Sequence, residues 1–421
     1  MTMHKKTVGA FTLAAAALTA GATAAMAGGY AVREQSTVFQ GSGFAGAAAG
    51  GSLGAMYWNS AATAQFSGLS VEASYTLILP NADVSVESIG GFPAGLAAPG
   101  INTESGDIGI DALVGASYAS YQISQDVWVG MAINSPFGLA TKPEDINYAG
   151  SVLGRTTKLL TINANPTVAY KLAPGITVGA GMQIEWARGK LQFASGGPAG
   201  PTTQFKGDDF AFGATAGIMI EPAAGTSIGL GYRSRLTHKL EGDFDSFGPS
   251  GAAFTTGAIG EIKLPDIVTL SLRQAITPDF RLLGTVEWSN WSRFSELTLS
   301  PDLPIGDIEI AADWSDGWFF ALGGEYDYSS TLTLRGGLSY ELSPVDSPEK
   351  RFTTIPDADR FWVNAGLSYK YSEATTIDFA YSHLFVEDAD FERHPVGSPV
   401  QFTGSVDASV DLISFGMRTR W

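Results

Sequence analysis

Three sets of residues in this 421-residue chain are of the types and spacings that can do chemistry. Gly41-x-Gly43-x-x-Gly46 matches the glycine fingerprint that lets a backbone approach a dinucleotide pyrophosphate. That chemistry needs a preceding strand and an acidic residue roughly twenty positions on, and neither is present. Gly50-x-Ser52-x-Gly54 matches a nucleophile elbow for acyl transfer. It too lacks its strand–turn–helix setting, and beyond residue 27 the only imidazoles available as a base are His238, His383 and His394. Those three have no paired spacing for a metal, so surface or loop positions are their plain reading. The third set is a scatter of bases, namely Arg188, Lys190, Arg233, Arg235, Arg273, Arg281 and Arg335. What they can do depends on which way the surrounding elements point them.

Composition narrows the elements. The chain has 42 acidic and 25 basic side chains, a net charge of −17, 51 glycines and no cysteine. A surface that acidic does not suit nucleic acid. Without cysteine there are no disulfides, thiolate metal sites or cysteine nucleophiles. Aromatic residues at 11% argue against disorder. His4, Lys5 and Lys6 precede an apolar run from Val8 to about Ala25, and Ala25-Met26-Ala27 is a small-x-small cleavage site. Residues 1–27 therefore read as a secretory signal peptide. No later stretch approaches the ~18 apolar residues of a spanning helix.

The remaining pattern has period two. Ile176, Val178, Ala180, Met182, Ile184 and Trp186 alternate with Thr177, Gly179, Gly181, Gln183 and Glu185, and equivalent runs recur to the last residue. Strands are expected near 69–79, 110–122, 126–134, 159–172, 175–192, 208–222 and 225–240. Seven more are expected near 260–274, 279–300, 313–328, 331–342, 360–371, 374–386 and 406–421. Tight turns such as Ala173-Pro174-Gly175 alternate with long stretches such as 80–109, 193–207 and 387–405. Long strands, aromatics near strand ends and a polar parity of Gly, Ser, Thr, Asn and Arg favour a fourteen-stranded transmembrane antiparallel β-barrel over residues 69–421 rather than a soluble sandwich. Residues 28–68 contain no alternating strand. Their small residues, with Phe39, Phe44, Leu53, Met56, Tyr57 and Trp58, read as an N-terminal hatch packed inside the bore.

Four stretches resemble the FadL family of outer-membrane transporters of long-chain fatty acids and hydrophobic compounds. They are Tyr57-Trp58-Asn59-Ser60-Ala61-Ala62, Asn134-Ser135-Pro136-Phe137-Gly138-Leu139-Ala140-Thr141, Tyr148-Ala149-Gly150-Ser151 through Thr156-Thr157, and Ile355-Pro356-Asp357-Ala358-Asp359-Arg360-Phe361-Trp362. The resemblance implies a monomeric barrel in the outer membrane of a Gram-negative bacterium, with no cofactor and with membrane lipid as its surroundings. It implies a hydrophobic ligand, passed from loops to a barrel pocket and out sideways where the third strand is kinked. It also implies that Asn59, Ser60 and Ala61 form the hatch motif, that Asn134, Pro136 and Gly138 form the lateral gate, and that Phe415 and Trp421 carry the signal for the barrel-assembly machinery. Pro136 cannot donate to a ladder, so the residues themselves support an interruption there.

Two departures bear on the ligand. Ser60 stands where the family usually has proline. Fatty-acid members carry bases near the inner pocket, whereas this chain has Asp313-Trp314-Ser315-Asp316 before the tenth strand and Phe193 past the fifth. Arg188, Lys190, Arg233, Arg235, Arg273 and Arg335 are the candidate partners for a ligand head group. Arg188 shares the outward parity of Trp186. Arg233, Arg235, Arg273, Arg281 and Arg335 have inward parity, where lumen ion pairing with Glu72, Glu185 or Asp378 is the simpler role. Long-chain fatty acid is the first expectation, and a hydrocarbon or aromatic compound is the alternative. An open porin conflicts with the apolar hatch. A barrel hydrolase would need an inward Ser/His pair, and a structural or adhesin barrel would bind no ligand.

Overall fold

The alternation of large apolar with small polar side chains closes into a ring of fourteen antiparallel staves in the computed structural model, which describes residues 28–248, 251–304 and 306–421. The leader expected over residues 1–27 lies outside the described residues. The first six staves are β1 (Leu69–Ile89), β2 (Ala112–Gln122), β3 (Val127–Asn134 and Gly138–Thr141), β4 (Thr156–Ala173), β5 (Ile176–Ala194) and β6 (Thr202–Ala223). Four staves follow in two pieces each: β7 (Thr226–Arg233, Leu236–Phe247), β8 (Ala253–Leu264, Ile267–Ala275), β9 (Phe280–Ser289, Glu296–Pro301) and β10 (Ile308–Ala311, Gly317–Asp327). The ring ends with β11 (Leu332–Leu342), β12 (Arg360–Lys370), β13 (Thr375–Val386) and β14 (Phe402–Arg420). Pairing of β1 with β14, from Ser70↔Arg420 to Ile89↔Phe402, leaves no free edge. That closure is what a sheet in lipid requires.

Each expected strand has its stave, but several boundaries move. β1 runs on to Ile89, ten residues past the expected end, and β14 begins at Phe402. This continuation alternates Asp83, Ser85 and Glu87 with Val84 and Val86. Its outward side is wetted rather than greasy, so it lacked the lipid-facing stripe that marks a spanning strand. Staves β7 to β10 are each interrupted at one common height, since Arg233 pairs with Ile267, Ile267 with Ser289 and Ser289 with Gly317. Above this seam the chain folds inward and carries Trp291, Phe294 and Trp314 into the lumen, all buried.

Outward positions are apolar and exposed, among them Leu77, Val168, Met182, Phe210, Phe212 and Leu322. Inward positions are polar and buried, as with Ser74, Thr76, Thr161, Asn163, Asn165, Gln183 and Glu185. Short turns join Ala173 to Ile176, Ala223 to Thr226 and Lys370 to Thr375 at one end, and long connections lie at the other. By the rule for outer-membrane barrels the short turns face the periplasm.

Apart from the exposed Gly51 and the half-buried Ala31 and Ala64, residues 28–64 are buried inside this ring. They form one short helix, α1 (Thr37–Gly41), and two 3-10 turns, Leu53–Tyr57 and Ser60–Ala64. Bonds run to the wall on several sides. Thr37 N–H donates to Ser74 Oγ (3.1 Å), Gly46 N–H to Thr285 Oγ1 (2.9 Å), Ala48 N–H to Ser271 Oγ (3.0 Å) and Ser60 Oγ to Thr215 Oγ1 (2.7 Å). Asn59 caps the second turn by accepting from Ala61 N–H (3.0 Å), while its amide donates to Ala48 O (2.8 Å) and Ile218 O (3.0 Å). Ser60 thus fixes the turn through a wall hydroxyl.

The wall admits this backbone because glycines face it. A Cβ on Gly231 would collide with the Trp58 carbonyl, and one on Gly229 with that of Ala48. Gly231→Ala should therefore push the inner segment off the wall, costing about 1–3 kcal/mol as overpacking does. The expected result is a lower thermal midpoint in detergent and higher single-channel conductance than the parent. An unchanged midpoint and conductance would show that the segment does not bear on the wall there.

Candidate functional site

The third stave is broken by its sequence. β3 pairs with β4 up to Asn134↔Asn163 and resumes at Gly138↔Leu160, so three residues oppose two and form a bulge around Pro136. On its other side β3 pairs with β2 only as far as Ser117↔Ile133. Residues Ala112 to Ala116 of β2 pair with β1 alone. The wall is therefore unzipped between β2 and β3, and an isolated bridge at Gly109↔Thr141 lies above the opening. The kinked backbone bonds inward instead. Val32 N–H donates to Pro136 O (2.8 Å), Gly138 N–H to Tyr30 O (2.9 Å) and Gln35 Nε2 to Ser135 O (2.7 Å). Asn134, on the same kink, is buried.

Directly inside the kink lies an apolar cavity walled by Tyr30, Leu139, Leu159, Phe205, Leu240, Ile262, Phe294 and Ile355 among others. Its aromatic wall exists because β8 to β10 break and fold in. Tyr30 meets Trp291 edge-on at 4.7 Å and Phe294 at 5.7 Å, and Phe137 of the kink lies 6.0 Å from Trp291. The Tyr30 hydroxyl is buried without a hydrogen-bond partner among the described residues. Pocket, kink and the N-terminal segment thus meet in one apolar cluster, joined through Tyr30 and Phe137.

A second space of about 650 Å³ adjoins the first, sharing Thr157, Leu191, Phe294, Leu297 and Ile355, and opens among the long loops. Val152, Phe193, Phe352, Pro395 and Val396 make it greasy, and Arg393 and His394 are its basic residues. Arg393 lies 4.4 Å over the Phe352 ring and donates to the carbonyls of Glu349 and Ala311 (2.5 and 2.9 Å). It forms no ion pair among the described residues, and burial lowers its guanidinium to about 10. An arginine with a desolvated charge and no carboxylate beside it is a ready partner for an incoming anion.

The N-terminal segment is tied down beside the cavity by a buried ion-pair chain. Arg33 donates to Glu287 (2.7 Å) and Glu341 (3.1 Å) and lies 3.7 Å over the Phe319 ring. Arg360 pairs with Asp357 and reaches Glu341 (3.7 Å), and Asp357 accepts from Gly29 N–H (2.8 Å). The Ile355–Trp362 stretch is therefore an anchor for the residues just before Tyr30. Arg155, from the third resembling stretch, bonds Ile146 O, Pro198 O and Gly200 O and pins two long loops together.

Lys190 borders the inner cavity, and none of the other five expected head-group partners lines either apolar space. Arg188 and Lys190 lie on the outer face, because Leu191 and Ala187 hold the inward parity. Arg235, expected inward, is exposed outside. The break at Ser234 shifts the parity by one, so that Arg233 and Leu236 both point in. Arg233 clasps the inner segment, bonding Tyr57 O (3.2 Å) and Gln183 Oε1 (2.7 Å). Arg273, Arg335 and Arg281 converge on Glu325 at 3.0, 2.7 and 3.1 Å near the short turns. Asp316 accepts from the Trp288 indole (2.9 Å) and so faces the girdle, not the cavity. Phe415 and Trp421 are exposed on the outer face.

The two other chemical motifs stand in the inner segment. Ser52 Oγ donates to Glu72, while His238 bonds Glu185 and Asp209 and His383 bonds Asp411. Gly43 and Gly46 occupy positive-φ turns after α1, pressed on the wall. Arg393, Tyr30 and Arg33 carry no signal in the sequence, since the first lies in a long connection with no period and the last two precede the first strand; His394 stands in the loop position expected of it.

The family model described as outer membrane protein transport protein (OMPP1/FadL/TodX) matches residues 18–421. A long-chain fatty acid transport protein of Escherichia coli O6:H1 is 31% identical over 300 residues, covering 62% of this chain and 67% of that protein. The crystal structure of a Pseudomonas aeruginosa FadL homologue superposes with a TM-score of 0.84 at 20% identity, covering 93% of this chain and 99% of that one. That of the Ralstonia pickettii toluene transporter TbuX superposes at 0.65 with 16% identity, over 92% and 100%.

Proposed function

The chain belongs to the outer-membrane transport family OMPP1/FadL/TodX, and from that premise we propose that it carries long-chain fatty acid from a loop groove, through the apolar cavity, to a side exit at the β3 kink. Uptake of a hydrophobic compound across the outer membrane is the activity its relatives indicate. One observation carries the path: Tyr30 stands in the cavity wall while its own backbone and that of Val32 bond to the kink. A ligand that displaces Tyr30 pulls on the bonds that hold Gly138 and Pro136. Residues 28–68 then act as the hatch, with Asn59, Ser60 and Ala61 as its fixed turn and Asn134, Pro136 and Gly138 as the gate.

A side exit suits the cargo, because apolar surface leaving the cavity passes into lipid and never into water. The fatty-acid reading draws on Arg393 and His394 at the outer groove, where a carboxylate gains a guanidinium that has no acidic partner. The hydrocarbon reading draws on the inner cavity, whose wall is apolar apart from Thr157, Thr298, Lys158 and Lys190. Passive transport by a monomer needs no cofactor on either reading. An acyl hydrolase draws no support from Ser52, which bonds a carboxylate and not an imidazole.

Binding of labelled oleate and labelled toluene to the purified protein separates the two. Arg393→Gln should weaken oleate about tenfold or more, the worth of a charge-assisted hydrogen bond, and leave toluene unchanged. Equal oleate affinity in variant and parent would remove Arg393 from the head-group site. Toluene bound and oleate refused by the parent would move the cargo to neutral hydrocarbons.

A further inference from the structure

The outer face of β4, β5 and β6 carries a row of ammonium groups that form no ion pair among the described residues. Lys158 stands directly opposite Lys190, and Lys190 directly opposite Lys206. Lys142, at the end of β3, also acts electrostatically on Lys190. Arg188 lies one outward row below, opposite Leu160 and Asp208. Of the nine lysines that follow residue 27, four are in this patch. None of these five bases makes an ion pair or a side-chain hydrogen bond among the described residues. Of the acids nearby, Asp208 lies within the patch opposite Arg188, and Asp243 and Glu241 flank it, Asp243 opposite Lys206 and Glu241 opposite Asp208.

Like charges facing each other across a ladder are destabilising. Three in register, in a chain of net charge −17, point to an anion that neutralises them. The height of the row says where that anion comes from. Trp186, bonded through its indole to Asp208, and the exposed Phe210 and Phe212 form the aromatic girdle on these staves. Lys190 is four residues further, roughly 13 Å of strand or about 10 Å along the membrane normal. It lies toward the long loops, hence at the head groups of the outer leaflet. Basic clusters at that level attract anionic lipid heads.

We propose that Lys158, Lys190 and Lys206, flanked by Lys142 and Arg188, bind the phosphate groups of a phosphorylated outer-leaflet glycolipid of the lipopolysaccharide type. Its acyl chains lie below on Ile162, Ile184, Phe210 and Phe212. The site begins on β4, the stave that pairs with kinked β3. It holds one lipid molecule beside the opening, on a row whose Lys158 and Lys190 also border the inner cavity.

The test is binding of a bisphosphorylated hexa-acyl lipid A, and of the same lipid with both phosphates removed, to the full protein in detergent. The parent should hold the bisphosphorylated form at least tenfold tighter, with the preference shrinking as salt rises. K158Q/K190Q/K206Q should lose that preference, while K171Q/K239Q/K370Q, with the same change of charge elsewhere, should keep it. Folding of each variant is checked by heat-modifiable gel mobility. Equal affinity of the parent for the two lipids overturns the proposal, as does a K158Q/K190Q/K206Q protein that binds like the parent. Inorganic phosphate competing at micromolar concentration would also overturn it, since the row would then be a site for free phosphate.

Discussion

Replacing Pro136 with valine should cut uptake of labelled oleate by cells relying on this protein at least tenfold, while oleate binding by the purified variant stays within about twofold. The expectation follows from the pairing around the kink. Pro136 offers no N–H, and three residues of β3 oppose two of β4, so the register slips and β2 loses its neighbour above Ser117↔Ile133. Valine restores a donor and prefers extended backbone, so residues 135–137 can pair toward β2 while the register from Gly138↔Leu160 onward is kept. The edge of β2 from Ala112 to Ala116 then gains partners, each new ladder bond contributing about 0.5–1.5 kcal/mol. Opposing this are three inward bonds, from Val32 and Gln35 to the kink and from Gly138 to Tyr30, against a potential run of ladder bonds. Binding is spared because the cavity wall on this side is Leu139 and Leu159, whose facing does not change. Undiminished uptake by a correctly folded variant would sink the side-exit reading.

How much of this could be read from residue order depends on which solvent each residue meets. The lipid-facing stripe has one apolar medium and a fixed parity, so Ile176 to Trp186 announced their stave unaided. Where water returns, as along Asp83 to Glu87, the parity persists but its chemical contrast fades, and the strand went unread. Arg235 shows a sharper limit. Parity propagates only along an unbroken ladder, and the interruption at Ser234 inverts every facing beyond it. The seam across β7 to β10 depends on four separate segments breaking at one height, which no single stretch encodes. Pro136 was legible because it removes a donor locally. Arg393 was not, because its value lies in what is missing beside it, and a carboxylate's absence is a property of the folded neighbourhood. The same holds for Tyr30, whose place is set by a backbone pairing with Pro136 and Gly138 about a hundred residues later.

The anchor that holds Tyr30 in place is the other point at which a small change should have a large effect. Arg33→Met removes the guanidinium from two buried carboxylates, Glu287 and Glu341, and leaves the hydrophobic contact with Phe319 roughly intact. Breaking one side of a buried pair costs about 3–5 kcal/mol, because Glu287 is left out of water without its cation and Glu341 keeps only Arg360 at 3.7 Å. The barrel pairs do not depend on Arg33, so the penalty falls on the N-terminal segment rather than on the ring. That segment should detach from β9 and β11, freeing Tyr30 from the cavity and unhooking Val32 from the kink. The expected result is protease cleavage within residues 28–40 and raised permeability to bulky solutes, with barrel mobility on gels unchanged. Arg33→Lys should fall between, since it keeps the charge but cannot bridge two carboxylates with a planar fork. A triple variant, R33M/E287Q/E341Q, separates charge from shape. It removes both orphaned carboxylates, so it should recover most of the lost protection if desolvated charge is the cause. If the triple variant is as leaky as Arg33→Met, the segment is held by the fork's geometry and not by its charge.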